Sequence, residues 1–584
     1  MVVIKPVTRA VLVFALMGVG LFFNALDNPF HFDDRHSIEY NRHLRSLANL
    51  PEFFTDLSTF SSERRGTMFR PLLLISYAFN YALHGDWIVG FRLVNLGLHV
   101  LCAGVLFAIA RYWGRPEREA WAVGLLFLLH PLHGEPVNYI SSRSDLLVGL
   151  FYLLALGWAF ARPWSSGLAY GAALLTKSVA ITLPIAAAIR AWCMGGRNQL
   201  RRLYFAVILG LSVVYVGTII ANRFLGSSLE KAPRDFDLQL WIQLKAMVYY
   251  LWLFCMPRSL SVDHPFTVAR GPGEWPVLLA GFLLLSLGGL AFVARRRIEA
   301  MGFGFFILAL LPASVMPLNI LVSERRMYLA SAGLVAIAIW AWGRMACRRQ
   351  RAALITGIVA CALLALMTWN RNPVWASDVR LWEDAVAKGP GLFRARANLG
   401  LAYAKEERWI EALEQLDKAL EIKPDYADAW VELGNIRHRL GRLGPAEAAY
   451  RRALEFSPDL EGVYYNLGNL ALGRGEAERA IELYEETLRR NPDFANAHNN
   501  LGQALERMGD ESGAVQHYQA AVERDPELGG AWFNLGAALE RSEEKRSARD
   551  AYVRAHELLL DSPEHRDYAE RASQAIRRLQ VPID

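Results

Sequence analysis

A 34-residue unit decides the fold of the carboxyl-terminal part of the chain. One copy runs from Pro458 to Asn491 and reads PDLEGVYYNLGNLALGRGEAERAIELYEETLRRN, and Pro492 begins the next copy. Its proline recurs at Pro390, Pro424 and Pro526, and its glycine, Gly468, recurs at Gly400, Gly434, Gly502 and Gly536. An alanine (Ala412, Ala446, Ala480, Ala514 and Ala548) and a tyrosine (Tyr450, Tyr484, Tyr518 and Tyr552) keep the same period. Chance does not reproduce several positions at one period, so we predict five tandem repeats over residues 393–562.

A period of 34 residues is that of the tetratricopeptide repeat, in which each unit is a pair of antiparallel helices. Such a unit buries its apolar face only by stacking on a neighbour, so the array needs structures at its ends. We therefore predict an α-solenoid over residues 393–562. A connecting half-repeat is predicted over 371–392, and a polar capping helix with a tail over 563–584.

The first 370 residues belong to a different class, because apolar runs of nearly bilayer length recur along them. A membrane-spanning helix needs roughly 20 mainly apolar residues. The runs lie near 7–25, 88–110, 120–130, 144–161, 166–176, 178–194, 203–222, 275–294, 301–316, 327–343 and 352–369. The whole chain is thus predicted to be all-α, with a polytopic domain of about 11 spanning helices ahead of the solenoid. The first run lacks an Ala-x-Ala-like cleavage site and is predicted to be a retained helix.

Basic clusters between the runs predict the orientation in the membrane, since short loops rich in Lys and Arg stay in the cytoplasm. Four such clusters fall on one side together with the amino terminus: Arg111/Arg115/Arg118, Arg197/Arg201/Arg202, Arg295/Arg296/Arg297 and Arg344/Arg348/Arg349/Arg351. The loop after the first helix and the repeats then face the opposite, extracytoplasmic side. The run 240–256 breaks the alternation and is predicted to be re-entrant or interfacial.

Charge and cysteine content exclude some functions. The net charge of +6 does not predict a nucleic-acid partner, because the excess of Lys and Arg lies largely in the short loops. The five cysteines lie within or beside apolar runs without metal-type spacing, so neither a disulfide nor a cysteine metal site is predicted. The excess of Arg over Lys and the compact loops favour a bacterial inner-membrane protein with periplasmic repeats. An endoplasmic reticulum protein with lumenal repeats is the alternative.

The candidate chemistry is centred on the acidic, aromatic stretch Asp27–Asn41, which follows the first apolar run. It contains two adjacent carboxylates, Asp33 and Asp34. Ionisable residues near membrane depth are costly and usually mark a functional cavity. The plain alternative is that the pair simply ends a helix and stays solvated.

Four further polar segments are predicted to face outward. They are Met68–Leu72 with Arg70, His130–Asp145 with Arg143, Thr176–Ser178 with Lys177, and Ser323–Tyr328 with Arg325 and Arg326. The two arginines of the last segment suit a lipid-linked phosphate, because Arg matches phosphate oxygens bidentately. Lys177 is either a second phosphate ligand or a lysine that reaches the membrane surface. His130, His133, Glu135, Asp145, Glu324 and Tyr328 are candidate polar pocket residues; zinc is disfavoured, since Pro131 breaks the helix between the histidines.

The solenoid contains one chemical pattern. Asn398, Asn466, Asn500 and Asn534 occupy the same repeat position, interrupted by Glu432. An amide both donates and accepts hydrogen bonds, so this ladder predicts binding of an extended acceptor peptide through its backbone. Asn as a common structural residue at this position is the alternative.

Five motifs stand in order ahead of the repeats: Phe-x-x-Asp-Asp, Arg-Pro-Leu, His-Pro-x-His-x-Glu with Ser-Arg-x-Asp, Thr-Lys-Ser, and Glu-Arg-x-x-Tyr. In this order they resemble the transmembrane-and-tetratricopeptide-repeat O-mannosyltransferases, which are similar to the protein O-mannosyltransferases of the type C glycosyltransferase superfamily. The resemblance implies a polyprenyl- or dolichyl-phosphate sugar donor, usually mannose. It also implies transfer to Ser or Thr of a polypeptide on the outer or lumenal face.

The resemblance places Asp33 and Asp34 in the catalytic loop. It places Arg70, His133, Glu135, Arg143, Lys177, Glu324 and Arg325 at other motif positions. Thr-Lys-Ser departs from the family, which often has an acidic residue at the position of Ser178. In an inverting displacement a carboxylate accepts the proton of the attacking hydroxyl and fixed cations stabilise the leaving phosphate.

Asp34 is slightly preferred as the base, and Asp33 would then orient a substrate or bind a divalent metal if one is used. We expect Asp34, Arg143, Lys177 and Arg325 to meet at one outward cavity. Two other functions remain open from the sequence. One is sugar transfer to a lipid or an envelope polymer, with repeats that recruit partners, and the other is a non-enzymatic membrane scaffold.

Overall fold

The computed structural model describes residues 4–62, 68–194, 199–221, 235–293, 298–316, 320–560 and 565–579. It divides the chain into two compact units, Met1–Leu392 and Phe393–Asp584. Regular structure in the described ranges is helical, which confirms the predicted all-α fold. Arg197 and the cluster Arg295–Arg297 of the orientation argument lie outside the described residues, as do residues 561–564 and 580–584 of the predicted cap and tail.

The first unit is a bundle of helices of very different lengths. In chain order they are α1 (Ile4–Phe22), α2 (Pro71–His84), α3 (Ile88–Tyr112), α4 (Glu117–Leu129), α5 (Arg143–Trp158), α6 (Pro163–Leu174), α7 (Leu183–Met194), α8 (Gln199–Ala221), α9 (Phe236–Cys255), α10 (Trp275–Val293), α11 (Ile298–Val315), α12 (Met327–Arg348), α13 (Gln350–Arg371) and α14 (Asp378–Lys388). Short helical turns also occur in the connections, among them Glu52–Thr55 and Gly134–Asn138. Each predicted apolar run coincides with a helix over its described part.

Within the described ranges, seven helices are long and apolar enough to cross a membrane. They are Lys5–Ala25, Ile88–Tyr112, Ile140–Trp158, Arg201–Ala221, Trp275–Val293, Glu324–Arg348 and Gln350–Ala376. Ser178–Cys193 and Ala300–Val315 are shorter apolar helices. The chain is therefore a membrane protein with several spans, while the number of about 11 stays a prediction. The run predicted to be re-entrant forms α9, a continuous helix of 20 residues.

Helices α11 and α12 pack closely against each other. Gly302 of α11 and Gly333 of α12 lie face to face, and a Cβ atom added to Gly302 would lie 2.6 Å from the carbonyl oxygen of Gly333. Only glycine allows two helix backbones to approach so closely. This contact brings the start of α12 into the core of the unit, where Met327 and Tyr328 are fully buried.

The second unit has the predicted arrangement of helix pairs. Its helices are α15 (Phe393–Lys405), α16 (Trp409–Ile422), α17 (Ala427–Arg439), α18 (Leu443–Phe456), α19 (Glu461–Gly473), α20 (Ala477–Arg490), α21 (Ala495–Arg507), α22 (Glu511–Arg524), α23 (Gly529–Arg541), α24 (Lys545–Leu559) and α25 (Arg566–Arg578). Within a pair, a repeat glycine lies against a repeat tyrosine. A Cβ atom on Gly468 would lie 2.6 Å from Cε1 of Tyr484. The recurrent glycine is thus the position where the two helices of a repeat meet.

The turn inside each repeat also follows the 34-residue period. Gly441, Gly475 and Gly509 have φ of 73°, 80° and 83°, a left-handed conformation that glycine adopts without strain. In the first and last repeats this position is Glu407, with φ 60°, and Glu543, with φ 62°. The inner repeats therefore use the residue that suits the turn, and the outer two tolerate strain there.

The two ends of the array differ. After the last repeat, Ala569, Ala572 and Ala575 of α25 join the buried cluster of the final helix pairs. Before the first repeat, the predicted connecting half-repeat, 371–392, lies within the first unit. It consists of a short turn, Asn372–Ala376, followed by α14, whose first turn is capped by Ser377.

Candidate active site

The two adjacent carboxylates follow α1 at the start of an unusual turn. Residues Arg35–Glu39 form a π-helical turn, an element that occurs mostly at functional sites. Phe32, immediately before the pair, has φ of 41°, a conformation rare for a residue with a side chain. This local backbone sends the carboxylates of Asp33 and Asp34 into different surroundings.

Asp34 is fully buried and its carboxylate is saturated with hydrogen bonds. The backbone N–H of Ser141 and its hydroxyl both donate to Oδ1 at 2.6 Å. The backbone N–H groups of His31 and Ile140 donate to Oδ2 at 3.2 and 3.4 Å. Burial raises the pKa of Asp34, and the hydrogen bond from the Ser141 side chain opposes that rise. Asp34 thus joins two loops and does not face a substrate.

Asp33 is accessible: its side chain is 53% exposed, and Oδ1 lies 3.5 Å from Nε2 of His36. Its backbone N–H donates to the hydroxyl of Tyr139 at 3.1 Å. Desolvation by the surrounding protein raises the pKa of Asp33, but the hydrogen bond from His36 and the charge of Arg325 outweigh it and lower the pKa to about 2. Asp33 is therefore an ionised carboxylate within reach of a ligand.

Arg325 approaches this carboxylate from the loop before α12. Its backbone N–H donates to Oε2 of Glu135 at 3.0 Å, and its guanidinium lies over the ring of Tyr139, 5.7 Å from the centroid. Nε is 3.9 Å from Oε1 of Glu135, and the side chain is 27% exposed. Burial raises the pKa of Glu135, and the charge of Arg325 opposes that rise. Glu135 and Tyr139 orient a cation that keeps part of its surface free for a ligand.

Lys177 and Arg70 provide two more cations. Nζ of Lys177 lies 2.6 Å from Oδ1 of Asp145, and its side chain is 21% exposed. Burial lowers the pKa of Lys177 to about 8, although the charge of Asp145 opposes the shift. Arg70, which precedes α2, donates to the hydroxyl of Ser144 at 3.5 Å.

The charges of these residues interact with one another. The guanidinium of Arg70 interacts electrostatically with the charges of Asp145, Arg325 and Asp33. The ammonium group of Lys177 interacts electrostatically with the charges of Asp145, Arg70 and Arg325. Arg70 and Arg325 therefore act on the accessible carboxylate of Asp33, and Lys177 acts on both arginines, so four segments far apart in sequence form one network of charges. Such an arrangement suits an anionic ligand, because fixed positive charges need no reorganisation when it binds.

Two of the predicted phosphate ligands lie elsewhere. Arg143 is fully buried and donates to Asn95 Oδ1 and the carbonyl of Phe91, both at 2.8 Å. Arg326 donates to the carbonyls of Ile320 and Leu321 at 2.7 and 2.9 Å. Oxygen atoms of the protein thus accept hydrogen bonds from both guanidinium groups. The structure favours an architectural role for Arg143 and Arg326 over contact with a donor phosphate.

The predicted pocket histidines are also separate from the charged cluster. His130 is bonded to the carbonyl of Phe254 at 3.0 Å, and His133 to that of Phe127 at 2.6 Å and to Ser331 at 2.9 Å. Tyr328 lies among these rings, with its hydroxyl 2.9 Å from Nδ1 of His99. Glu324 is buried and binds Arg371. Among the residues that the structure describes, no three His, Cys, Asp or Glu side chains are grouped to bind a metal ion.

Arg92, Asn95 and His99 share one face of α3, and Arg92 orders the segment that leads to Asp33. Arg92 donates to the carbonyls of Leu26 and Asn28 at 2.9 and 2.5 Å, so it fixes the segment that leads from α1 to Asp33. A buried guanidinium that satisfies several carbonyls orders an irregular loop, because each unpaired carbonyl would be costly.

The asparagine ladder is engaged within the solenoid. The side-chain amides of Asn466, Asn500 and Asn534 donate to Oδ1 of Asn435, Asn469 and Asn499, at 3.0, 2.9 and 2.9 Å. Asn398 is half-buried at the corresponding place in α15. The ladder therefore links neighbouring repeats, while each amide still has capacity for a further hydrogen bond.

Four residues of the site were not predicted from the sequence, although they lie in the quoted segments Asp27–Asn41 and His130–Asp145. They are His31, His36, Tyr139 and Ser141. The pairing of Ser141 with Asp34, and of Tyr139 with Asp33, joins residues more than 100 positions apart. The motifs mark the segments, but spacing along the chain contains no signal for these pairs.

Comparisons with known proteins agree with both halves of the chain. Family models for tetratricopeptide repeats match residues 400–441, 434–475 and 465–529. Protein O-mannosyl-transferase TMTC4 of Mus musculus is 28% identical over 488 residues, which cover 70% of this chain and 66% of that protein. TMTC3 of Mus musculus is 24% identical, with 76% and 54% covered, and Tmtc1 of Drosophila melanogaster is 26% identical, with 71% and 61% covered.

The chain is similar to these protein O-mannosyl-transferases. The resemblance predicted from the ordered motifs is thereby confirmed. The aligned region spans about half to two thirds of the length of these protein O-mannosyl-transferases.

Solved structures match about a third of the chain. The tetratricopeptide-repeat protein YrrB is 20% identical and covers 34% of this chain and 99% of its own, with a TM-score of 0.28. PilF of Pseudomonas aeruginosa is 23% identical and covers 32% and 91%, with a TM-score of 0.28.

Proposed function

We propose that this chain is a protein O-mannosyltransferase that takes its sugar from a polyprenyl-phosphate donor on the extracytoplasmic side of a membrane. One observation carries the proposal: the charges of Arg70 and Arg325 act on an accessible carboxylate, Asp33, and Lys177 interacts in turn with both arginines. Relatives named protein O-mannosyl-transferases support mannose as the sugar and polypeptide as the acceptor. The orientation argument from basic loops supports the extracytoplasmic face.

In this proposal the donor phosphate binds between Arg70, Lys177 and Arg325. The hydroxyl oxygen of a Ser or Thr attacks the anomeric carbon, and the bond from that carbon to the phosphate oxygen breaks. The electron pair of that bond leaves with the phosphate, whose growing charge the three cations stabilise. The proton of the hydroxyl passes to the carboxylate of Asp33.

Asp33 is a better candidate for the base than Asp34, because Asp34 is buried and its lone pairs are occupied by four donors. A pKa of about 2 makes Asp33 a weak base before the donor binds. The negative phosphate would offset the charge of Arg325 and raise the pKa of Asp33 toward the working pH. Donor binding would then prepare the base for the acceptor.

The repeats are proposed to bind the acceptor polypeptide. The amides of the asparagine ladder are linked between repeats, which fixes their orientation. Asn500 uses both of its N–H groups, on Asn469 and Tyr465, so its remaining capacity for a peptide backbone lies at its carbonyl oxygen. Sequence-independent binding would follow, because backbone groups are common to all peptides.

The test is transfer of mannose by the purified full-length chain in lipid nanodiscs, with polyprenyl-phosphate mannose and a Ser/Thr-rich peptide. Mass spectrometry should detect hexose on the peptide for the wild type and none for Asp33→Asn. Asp86→Asn, which removes another carboxylate of the same unit, is a control for the change of charge. Absence of hexose on any peptide, with hexose found only on lipid or envelope polymer, would overturn the proposal in favour of a different acceptor.

We also propose that the protein resides in a bacterial inner membrane with its repeats in the periplasm. The support is the composition of the loops and the predominance of Arg over Lys. Fractionation of the native host, combined with protease accessibility of the repeats in spheroplasts, tests this location. Protection of the repeats in intact spheroplasts would overturn it.

A further inference from the structure

The segment Arg371–Lys388, which we call the connector, contacts the loop of Asp33 and Asp34 through one carboxylate. Oδ1 of Asp378 lies 2.7 Å from Nδ1 of His31, and Oδ2 accepts a hydrogen bond from Arg35 at 2.9 Å. In the sequence, His31 and Arg35 lie on either side of Asp33 and Asp34. A single carboxylate therefore fixes both ends of the turn that presents Asp33.

The turn between these two contacts is strained. Phe32 has φ of 41°, which a residue with a Cβ rarely adopts. Its ring packs edge-on against Trp382 of the connector, with centroids 5.1 Å apart. The other ring nitrogen of His31 lies 2.8 Å from the carbonyl oxygen of Trp375. Backbone strain persists only where the surroundings over-determine it, and the connector supplies much of those surroundings.

The connector also contacts the other loops of the site. Trp375 is fully buried and stacks on Tyr139, with ring centroids 6.0 Å apart. Arg371 lies 3.4 Å from Oε1 of Glu324, the residue before Arg325, and 2.8 Å from Oδ2 of Asp384. The loops of Asp33, Tyr139 and Arg325 thus share one support, although they are distant in sequence.

We propose that Asp378 is a positioning residue for the site, and that the connector aligns Asp33 with the phosphate-binding cations. Asp378 touches neither donor nor acceptor and acts through His31 and Arg35. The kinetic consequence of this proposal rests on the proposed transferase function. The structural consequence, an ordered turn at Asp33, does not depend on that function.

Amide hydrogen exchange of the full-length chain in nanodiscs tests the structural consequence. In Asp378→Asn we expect amides of residues 28–41 to exchange about 10-fold faster, because the charged hydrogen bonds to His31 and Arg35 are weakened. Glu383→Gln is the matched control: it lies in the same helix, is exposed, and removes the same charge. Its exchange in residues 28–41 should equal that of the wild type.

Transfer kinetics test the alignment. A displaced base slows the chemical step, so Asp378→Asn should lower kcat about 10- to 100-fold with the KM for the donor unchanged. Asp378→Glu, which keeps the charge, should recover part of kcat. A wild type without transfer activity would refute the proposed function alone, since the exchange measurement would still report on the turn.

Equal exchange in Asp378→Asn and Glu383→Gln would overturn the proposal, as would an unchanged kcat in an active enzyme. If Asp378→Asn does not fold, Arg35→Gln replaces it, since that change removes one of the two contacts and leaves His31 in place. Faster exchange in residues 28–41 of Arg35→Gln would support the proposal, and unchanged exchange would overturn it.

Discussion

The repeats and the polar loops of the membrane unit differ in how a residue's position in the sequence relates to its environment. In the repeats, residues 34 positions apart share one environment: Tyr450, Tyr484 and Tyr518 are all buried against a repeat glycine. In the loops, residues one position apart do not. Asp33 is accessible and Asp34 is fully buried.

The comparison teaches what a sequence pattern can specify. A repeat packs on a copy of itself, so the same side chain meets the same partner in every unit. The loops meet partners from distant segments, and their irregular backbone points adjacent side chains in different directions. A motif therefore locates a loop of the site, whereas the role of each residue in it depends on the tertiary contacts.

The largest expected effect is the contrast between the two carboxylates. Asp33→Asn should reduce transfer by about 10²- to 10⁴-fold without change in thermal stability, because the exposed base is lost and no buried contact is broken. Asp34→Asn should lower the unfolding free energy by about 2–4 kcal/mol, because its donors lose a charged acceptor. Activity assays and thermal melts of both variants provide the measurements. A stable Asp34→Asn and an active Asp33→Asn together would break the contrast.

Arg325 and Arg326 provide a second contrast between neighbours. Arg325→Lys should raise the KM for the donor about 10-fold, since a lysine offers no bidentate geometry to phosphate. Arg326→Lys should leave that KM unchanged and lower the melting temperature, because two loop carbonyls lose their donor. Activity assays of both variants over a range of donor concentrations measure the two KM values. An equal rise of KM in both would show that the two arginines act together.

Glycine substitution tests the regularity of the repeats. Gly468→Ala should destabilise the solenoid by about 1–3 kcal/mol, because its Cβ atom would lie 2.6 Å from Cε1 of Tyr484, in a packed ring. Gly462→Ala in the same helix meets nothing within 4 Å and should be neutral or stabilising. Denaturant unfolding of the two variants measures the difference. The same sign for both would contradict the packing role of the repeat glycine.

The smallest expected effect is on the pH dependence of donor binding. Lys177, with a pKa of about 8, would bind phosphate in its protonated form, so the KM for the donor should rise about 5-fold between pH 8 and pH 9. Lys177→Arg should remove this alkaline limb, because arginine stays charged. On the acid side, Asp33 of the donor-free enzyme stays ionised down to about pH 2, so it contributes no acid limb to donor binding near neutral pH. An alkaline limb that persists in Lys177→Arg would assign it to another group.

Periodicity and apolar runs made the fold predictable. The paired helices of the repeats and the helical state of every apolar run over its described part depend on contacts that are local or repeated. The ordered polar motifs also indicated polar loops whose charges interact. Arg70 and Arg325 act on the charge of Asp33, and Lys177 on both arginines, whereas Asp34 and Arg143, which were expected at the same cavity, are buried and bound by protein groups.

Only the tertiary structure separated ligand-facing residues from architectural ones. Arg143 and Arg326 carry the same charge as Arg325, yet carbonyl and amide oxygens of the protein occupy them. The connector shows the same limit, since Asp378 lies 347 positions from His31 and binds it directly. The sequence determined which helices form and which loops are polar, because propensity and periodicity are local. The tertiary structure decided which carboxylate is accessible and which is buried, because burial and charge depend on partners brought together by folding.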